Sequence, residues 1–227
     1  MTHASFDAPP SRRGTPKTRQ KDTPSAPSRR QELIGVAAEL FAAKGFRATT
    51  VRDIADAAGV LSGSLYHHFE SKEAILEELL SSYLEDLLEQ YEEIVGTRTS
   101  PLEALSRLVR AAFASLEEHR AAIAVLQNEG QHLARHPRFR HLRGREAEVQ
   151  ALWVAVIREG IQVGRFRAGM EPQLIYRFVR DAIWVAVKWF RPGGRLSAGD
   201  LADQYLMLIL EGILTTERTP PAGESGA

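Results

Sequence analysis

The stretch that decides the fold is GFRATTVRDIADAAGVLSGSLYHHFESKEAIL, residues 45–76. Its apolar residues recur with helical spacing over residues 51–58, and Gly59 then supplies a turn. A shorter helical segment follows, in which Leu65 and Phe69 are four residues apart and would hold the helix on a core. Two short helices joined by a tight turn form a helix-turn-helix, whose second helix enters the DNA major groove. The stretch therefore predicts a DNA-binding head.

The composition limits the class of protein. The 227 residues include no cysteine, and 29 Lys and Arg balance 29 Asp and Glu. Disulfides, thiolate metal sites and cysteine nucleophiles are therefore excluded. No apolar run approaches the ~18 residues of a membrane span, so we expect a cytoplasmic protein. The signatures of nucleophilic, zinc-dependent and nucleotide-dependent enzymes are missing from the sequence, so we expect no enzyme activity, no cofactor and no metal.

The rest of the pattern is helical. Ala, Leu, Glu and Arg dominate, and alternating β-branched residues are scarce. We predict an all-α fold of nine helices. The predicted helices are Gln31–Lys44, Val51–Ala58, Ser62–Phe69, a long one from the Ser71 cap to Val95, Leu102–Glu118, Arg120–Arg135, Phe139–Val163, Pro172–Phe190, and a last one from the Ser197 cap to Leu214.

The second helix of the motif has side chains that suit contact with DNA. Ser62, Gly63 and Ser64 at its start are small, so the backbone can approach a phosphate or a base edge closely. Tyr66 and Lys72 follow, and the lysine opens the next helix, where free backbone N–H groups can also meet a phosphate. These positions are the candidate DNA contacts.

The same residues carry a resemblance to a known family. Residues 45–76 resemble, almost without a break, the DNA-binding head of the TetR family of bacterial repressors. The nearest departure is Leu61-Ser62, where the family often has Ser followed by Lys or Arg, so Leu61 could contact a thymine methyl group instead. The resemblance implies phosphate contacts from Thr49 or Thr50, Tyr66 and Lys72, with Arg47 in addition, and base contacts from Ser62, Gly63, Ser64 and His67.

The family resemblance also implies how the chain is divided. We expect a disordered basic tail over 1–28, a helix-turn-helix domain over 29–76, a ligand-binding and dimerisation domain over 77–215, and a loose tail over 216–227. The first tail is either a solvated extension or an arm that attracts DNA phosphates. Helices eight and nine have broad apolar faces, which we interpret as the homodimer interface of a protein that binds a palindromic operator. The alternative is that both faces are internal core.

Helix eight holds an unusual set of side chains. Arg180, Trp184 and Lys188 are spaced by four residues on an otherwise apolar helix. A cation over a tryptophan face can bind a flat anionic ligand, so these three are the candidate ligand site. The alternative is a cation–π contact in an interface without a ligand.

Basic residues are dense between helices six and seven, where residues 135–145 contain five arginines. An ion-paired face is the ordinary interpretation, and a phosphate-rich ligand such as coenzyme A is the other. His132 and His136 have the helical spacing of metal ligands, but no nearby carboxylate or cysteine completes a site.

Segments of the body resemble a narrower group. YRFVRDAIWVAVKWFRPGG, residues 176–194, and DQYLMLILEGI, residues 203–213, are similar to TetR-type regulators of bacterial cholesterol catabolism. This implies a repressor of steroid-ring degradation genes that is released by the CoA thioester of a bicyclic steroid fragment. The alternatives are a sensor of fatty acyl-CoA or of multiple drugs, and an adaptor with a degenerate head.

Overall fold

The computed structural model describes residues 28–214, and within them it contains nine α-helices. The predicted all-α fold is confirmed. The two predicted tails lie outside the described residues, except for Ser28. The helices are α1 Arg29–Lys44, α2 Val51–Ala57, α3 Ser62–His68, α4 Lys72–Gly96, α5 Pro101–Glu118, α6 Arg120–Arg135, α7 Arg140–Gln162, α8 Pro172–Trp189 and α9 Ala198–Ile213.

The helix starts follow from local capping. Ser28 and Gln31 form a capping box, in which each side chain bonds the other residue's backbone N–H, so α1 begins two residues before the predicted Gln31. Thr50 and Asp53 form the same arrangement at α2. Ser71 caps α4 by accepting a hydrogen bond from the backbone N–H of Ala74 at 3.1 Å. The starts of α2 and α4 agree with the prediction because their caps are local, whereas the predicted start of α1 is two residues late.

The start of α7 differs from the prediction. Pro137–Phe139 form a 3₁₀ turn, and the α-helix begins only at Arg140. The ring nitrogen Nδ1 of His136 accepts a hydrogen bond from the N–H of Arg138 at 3.3 Å, which favours the tighter turn. Arg138 and Phe139 therefore lie between α6 and α7 rather than on a regular helix.

The head is built from α1, α2 and α3 around one small core. Leu33, Phe41, Ile54 and Leu65 are almost completely buried there. Phe41 meets Phe46 edge to face, with ring centroids 5.2 Å apart. The core continues into α4, which thus joins the head to the body.

The body is a bundle in which α4 packs on α7, α5 on α9, and α7 on α8. Helix α6 lies between the head and the body, because it packs on both α1 and α8. Arg120 of α6 donates a hydrogen bond to the carbonyl of Val187 at 2.7 Å. No helix within residues 28–214 is long and apolar enough to cross a membrane.

Candidate DNA-binding and effector sites

The recognition helix α3 presents a polar face to solvent. Leu65 is fully buried and anchors the helix, as the spacing predicted. Gly63, Tyr66 and His67 are exposed, and Ser62 and Ser64 are half-buried at the start of the helix. Leu61 just before the helix is 83% exposed, so its side chain is free to contact a thymine methyl group. The predicted base-contacting residues therefore share one accessible surface.

The predicted phosphate contacts gather around a shallow cleft of about 340 Å³, in which Arg47, Thr50, Tyr66 and Lys72 meet. Its walls come from the α1–α2 connection, the start of α2, α3, the α3–α4 connection and the start of α4. Thr50 is exposed and caps α2, but the Asp53 carboxylate already accepts hydrogen bonds from its backbone N–H and its hydroxyl. Glu70 and Glu73 also line the cleft, so a phosphate there depends on the positive charges of Arg47 and Lys72.

Thr49 is the member of the Thr49/Thr50 pair that the structure excludes as a side-chain contact. It is completely buried, and its hydroxyl donates a hydrogen bond to the carbonyl of Gly45 at 2.8 Å. A hydroxyl in this position satisfies the end of α1 and cannot reach a phosphate. Of the two threonines, only Thr50 remains a candidate.

Lys72 has a structural task inside the head. Its ammonium group donates to the carbonyls of Phe46 and Thr49, both at 2.7 Å, and lies 4.3 Å from the centre of the Phe46 ring. These contacts tie the α1–α2 connection to the start of α4. An ammonium has three donors, so one remains for a phosphate. We therefore expect Lys72 to position the head and to contact DNA through that donor.

A second site lies inside the body, in a cavity of about 470 Å³ lined by α4 to α8. Its walls are mostly aliphatic, and six aromatic side chains also line it: Tyr83, Tyr91, Phe139, Trp153, Tyr176 and Trp184. The rings of Tyr91 and Trp153 meet edge to face at 5.6 Å, and Tyr176 lies 6.1 Å from Trp153. A cavity of this size with apolar walls and a few polar groups is typical of a small-molecule site.

Two of the three predicted ligand residues reach this cavity. Arg180 and Trp184 both line it, and the Arg180 guanidinium lies 5.3 Å from the centre of the Trp184 ring and 5.7 Å from that of Tyr176. Arg180 also pairs with Asp181, with 2.7 Å between nitrogen and oxygen. Lys188 is exposed and does not line the cavity, so the predicted set of three is corrected to two.

A carboxyl group that the sequence analysis missed shares the cavity with Arg180. Glu146 of α7 is half-buried there, and its burial raises the pKa of the carboxyl. The positive charges of Arg180 and Arg143 act in the opposite direction and partly offset the rise in pKa. Charged groups of opposite sign therefore act on one another in an otherwise largely apolar cavity.

The basic stretch between α6 and α7 is largely occupied by protein contacts. Arg138 pairs with Glu70 and Glu77, and Arg145 pairs with Glu148. Arg143 lines the cavity and donates to the carbonyl of Ala134. Ion pairing, the ordinary interpretation of this stretch, accounts for Arg138 and Arg145.

Helices α8 and α9 carry apolar side chains that face solvent. Leu174, Phe178, Val185 and Trp189 recur along α8 at intervals that place them on one face, and each is about half exposed or more. On α9, Met207 and Leu208 are exposed, the latter by 75%. The other sides of both helices are buried in the chain, so each predicted apolar face is split between internal core and exposed surface. Exposed apolar residues aligned in this way mark an interaction surface.

Comparison with known proteins places these sites in a family. The family model for the bacterial regulatory proteins of the tetR family matches residues 33–79, and that for the tetracyclin repressor-like C-terminal domain matches residues 98–213. The HTH-type transcriptional repressor KstR2 of Mycobacterium tuberculosis strain H37Rv is 49% identical over 82% of this chain and 93% of its own length. KstR2 of Rhodococcus jostii is 45% identical over 85% of this chain and 94% of its own.

A solved structure agrees with the sequence matches. The ketosteroid transcriptional regulator KstR2 of Mycobacterium tuberculosis superposes with a TM-score of 0.81 at 47% identity, over 85% of this chain and 98% of that one. These relatives are named transcriptional repressors or regulators, which confirms the expectation of a regulator rather than an enzyme. The structure has an exposed helix-turn-helix and a separate cavity in its body, and the sequence matches both family models. The chain therefore belongs to the TetR family of bacterial transcriptional repressors.

Proposed function

We propose that this protein represses genes of steroid-ring degradation, and that a steroid-derived CoA thioester releases it from DNA. The observation that carries the proposal is the cavity with the Arg180 guanidinium held against Trp184. The names of the KstR2 relatives supply the steroid class, because their similarity extends through the whole body and not only through the head.

The cavity chemistry supports a ring-bearing effector. Flat, rigid walls such as those of Tyr91 and Trp153 suit fused rings, which lose little conformational entropy on binding. A volume of about 470 Å³ is in the range of drug-sized ligands, so we expect the acyl group to fill it and the nucleotide to lie outside. Arg180 would then meet the polar atoms at the thioester end through a charge-assisted hydrogen bond.

The exposed surfaces support a homodimer on a palindromic operator. Two heads must be about 34–36 Å apart to meet successive major grooves, which requires a fixed pairing of two copies. The exposed apolar faces of α8 and α9 are the surface that we assign to this pairing. In each head, Ser62, Gly63, Ser64 and His67 would contact base edges, while Arg47, Thr50, Tyr66 and Lys72 would contact phosphates.

The direct test is a titration of the purified protein on the DNA upstream of its own gene, followed by fluorescence anisotropy. Four candidate effectors are added in turn to the protein–DNA complex: an indane-propanoyl-CoA thioester, the matching free acid, free CoA and palmitoyl-CoA. We expect release by the bicyclic thioester and much weaker release by the other three. Release by palmitoyl-CoA alone would replace the steroid effector with a fatty acyl one.

Three single variants assign the effect to the cavity. Arg180→Ala and Trp184→Ala should keep operator affinity but lose release, because each removes a contact to the effector and none to DNA. Lys188→Ala is the matched control, since this residue lies on the same helix but outside the cavity. Release of the first two variants at wild-type thioester concentrations would move the site elsewhere. If both variants instead become monomers, this face belongs to the interface.

A further inference from the structure

One arginine of the body holds the end of the recognition helix. Arg138 donates through Nε to Glu77 on α4 at 2.5 Å and through Nη2 to Glu70 at 2.7 Å. Glu70 lies between α3 and α4, two residues after the last residue of α3. Arg138 itself comes from the 3₁₀ turn between α6 and α7, more than sixty residues away along the chain. We call Arg138, Glu70 and Glu77 the arginine clamp.

The residue after Arg138 lines the effector cavity. Phe139 is almost completely buried, and its ring forms part of the cavity wall. Arg138 and Phe139 are consecutive residues of one short turn, so a displacement of the Phe139 ring by an occupant would tilt the peptide unit that carries Arg138. The path from the cavity to the end of the recognition helix therefore runs through three residues, Phe139, Arg138 and Glu70.

The surroundings of the clamp fix its geometry. The imidazole Nδ1 of His141 lies 3.0 Å from the carbonyl of Arg138, and its Nε2 lies 3.1 Å from the hydroxyl of Ser81 on α4. On the head side, Arg30 of α1 pairs with Glu78 and lies 4.1 Å from the centre of the Phe69 ring. Arg30 thus holds the end of α3 from within the head, while Arg138 holds it from the body.

We propose that Arg138 is a positioning residue, which transmits occupancy of the cavity from Phe139 to the recognition helix through Glu70. The proposal rests on the proposed function, because it needs a ligand that occupies this cavity. The Arg138–Glu70 pair adds little to stability, since Glu70 is 71% exposed and solvent-exposed ion pairs contribute weakly, whereas the Arg138–Glu77 pair is half-buried. Its role is geometric: a guanidinium that bonds two carboxylates allows few relative positions of the groups that it joins.

A first experiment needs no effector. Hydrogen exchange is measured on peptides that cover residues 62–70 in the wild type, Phe139→Leu, Arg138→Ala and the double variant. We expect Phe139→Leu to exchange about threefold or more faster than the wild type. The double variant should exchange at the rate of Arg138→Ala, because two residues of one network do not have additive effects. Leucine keeps most of the buried volume, so this variant should remain folded.

Two controls isolate the clamp. Ile183→Val also perturbs a buried cavity residue, but Ile183 is on α8, which carries no residue of the clamp, so exchange at residues 62–70 should stay at the wild-type rate. Arg145→Ala removes an arginine whose ion pair stays within α7. Additive effects of the Phe139 and Arg138 changes would overturn the proposal. Coupling would then run through other contacts, such as His132, whose ring lies 5.6 Å from Phe46 and 6.3 Å from Phe139.

A second experiment measures coupling with the indane-propanoyl-CoA probe. Arg138→Ala should bind the probe with an affinity within about threefold of the wild type. The probe should nevertheless weaken operator binding by Arg138→Ala about tenfold less than it weakens binding by the wild type, a difference within the usual range of allosteric coupling. An unchanged ratio would overturn the clamp. If the probe does not release even the wild type, the proposed effector class is wrong, and the hydrogen-exchange cycle decides the clamp by itself.

Discussion

Replacement of Leu208 by arginine should convert the dimer to monomers without unfolding the chain. Leu208 is 75% exposed in the single chain, so the monomer loses little packing. Full burial of a leucine side chain is worth about 1.5–3 kcal/mol, and a two-fold interface uses each residue twice. Burial of three quarters of two leucines is worth about 2–5 kcal/mol, so its loss should raise the dimer dissociation constant by roughly two to three orders of magnitude.

Sedimentation velocity over a concentration series measures this change, and circular dichroism verifies that the fold is kept. Leu61→Arg is the control for dimerisation, because Leu61 is 83% exposed but lies just before α3 in the head, not on α8 or α9. The control should dimerise like the wild type. The monomeric variant should also lose affinity for a palindromic operator, since its heads are no longer paired. A Leu208→Arg protein with an unchanged dissociation constant would place the interface elsewhere.

Three other changes test separate parts of the structure. Tyr66→Ala should weaken binding to specific and unrelated DNA alike, because phosphate contacts carry no base information; selective loss on the operator in anisotropy would contradict this. Gly160→Ala should lower the free energy of unfolding by about 1–3 kcal/mol in a urea melt, because its Cβ would lie 2.2 Å from the Phe166 ring. Glu146→Gln should be more stable than the wild type at neutral pH, since the raised pKa means that ionisation of Glu146 opposes folding. That difference should disappear as pH falls below the unfolded-state pKa of about 4, where the carboxyl is protonated in both states. A stability difference that persists at pH 3 would refute the assignment.

The helices and their ends could be predicted because they are local. Capping pairs such as Thr50 and Asp53 act over three residues, and apolar residues recur at intervals of three and four along each helix. The predicted start of α1 is two residues late, because the Ser28–Gln31 cap precedes the first residue of the apolar pattern, Leu33. The turn at Pro137–Phe139 was missed, because a helical apolar pattern does not distinguish a 3₁₀ start from an α-helical one.

The three predicted ligand residues of α8 show over what distance a spacing of four residues keeps side chains on one face. Residues four apart differ by about 40° around a helix and about 6 Å along it, so two such steps separate Lys188 from Arg180 by about 80° and 12 Å. Arg180 and Trp184 both reach the cavity, whereas Lys188 has turned and moved past its end. Spacing by four therefore identifies neighbouring pairs better than sets of three.

The sequence by itself determined the family and the recognition helix, because their motif lies within residues 45–76. It also determined the nine helices, because each of them is encoded by its own local apolar pattern. Tertiary structure decided which of the candidate side chains remain available to contact DNA. Thr49 is buried while Thr50 is exposed, and the Lys72 ammonium is largely used on two carbonyls. The cavity and the arginine clamp join residues up to about a hundred positions apart. No periodicity encodes such contacts, because they depend on how the helices pack against one another.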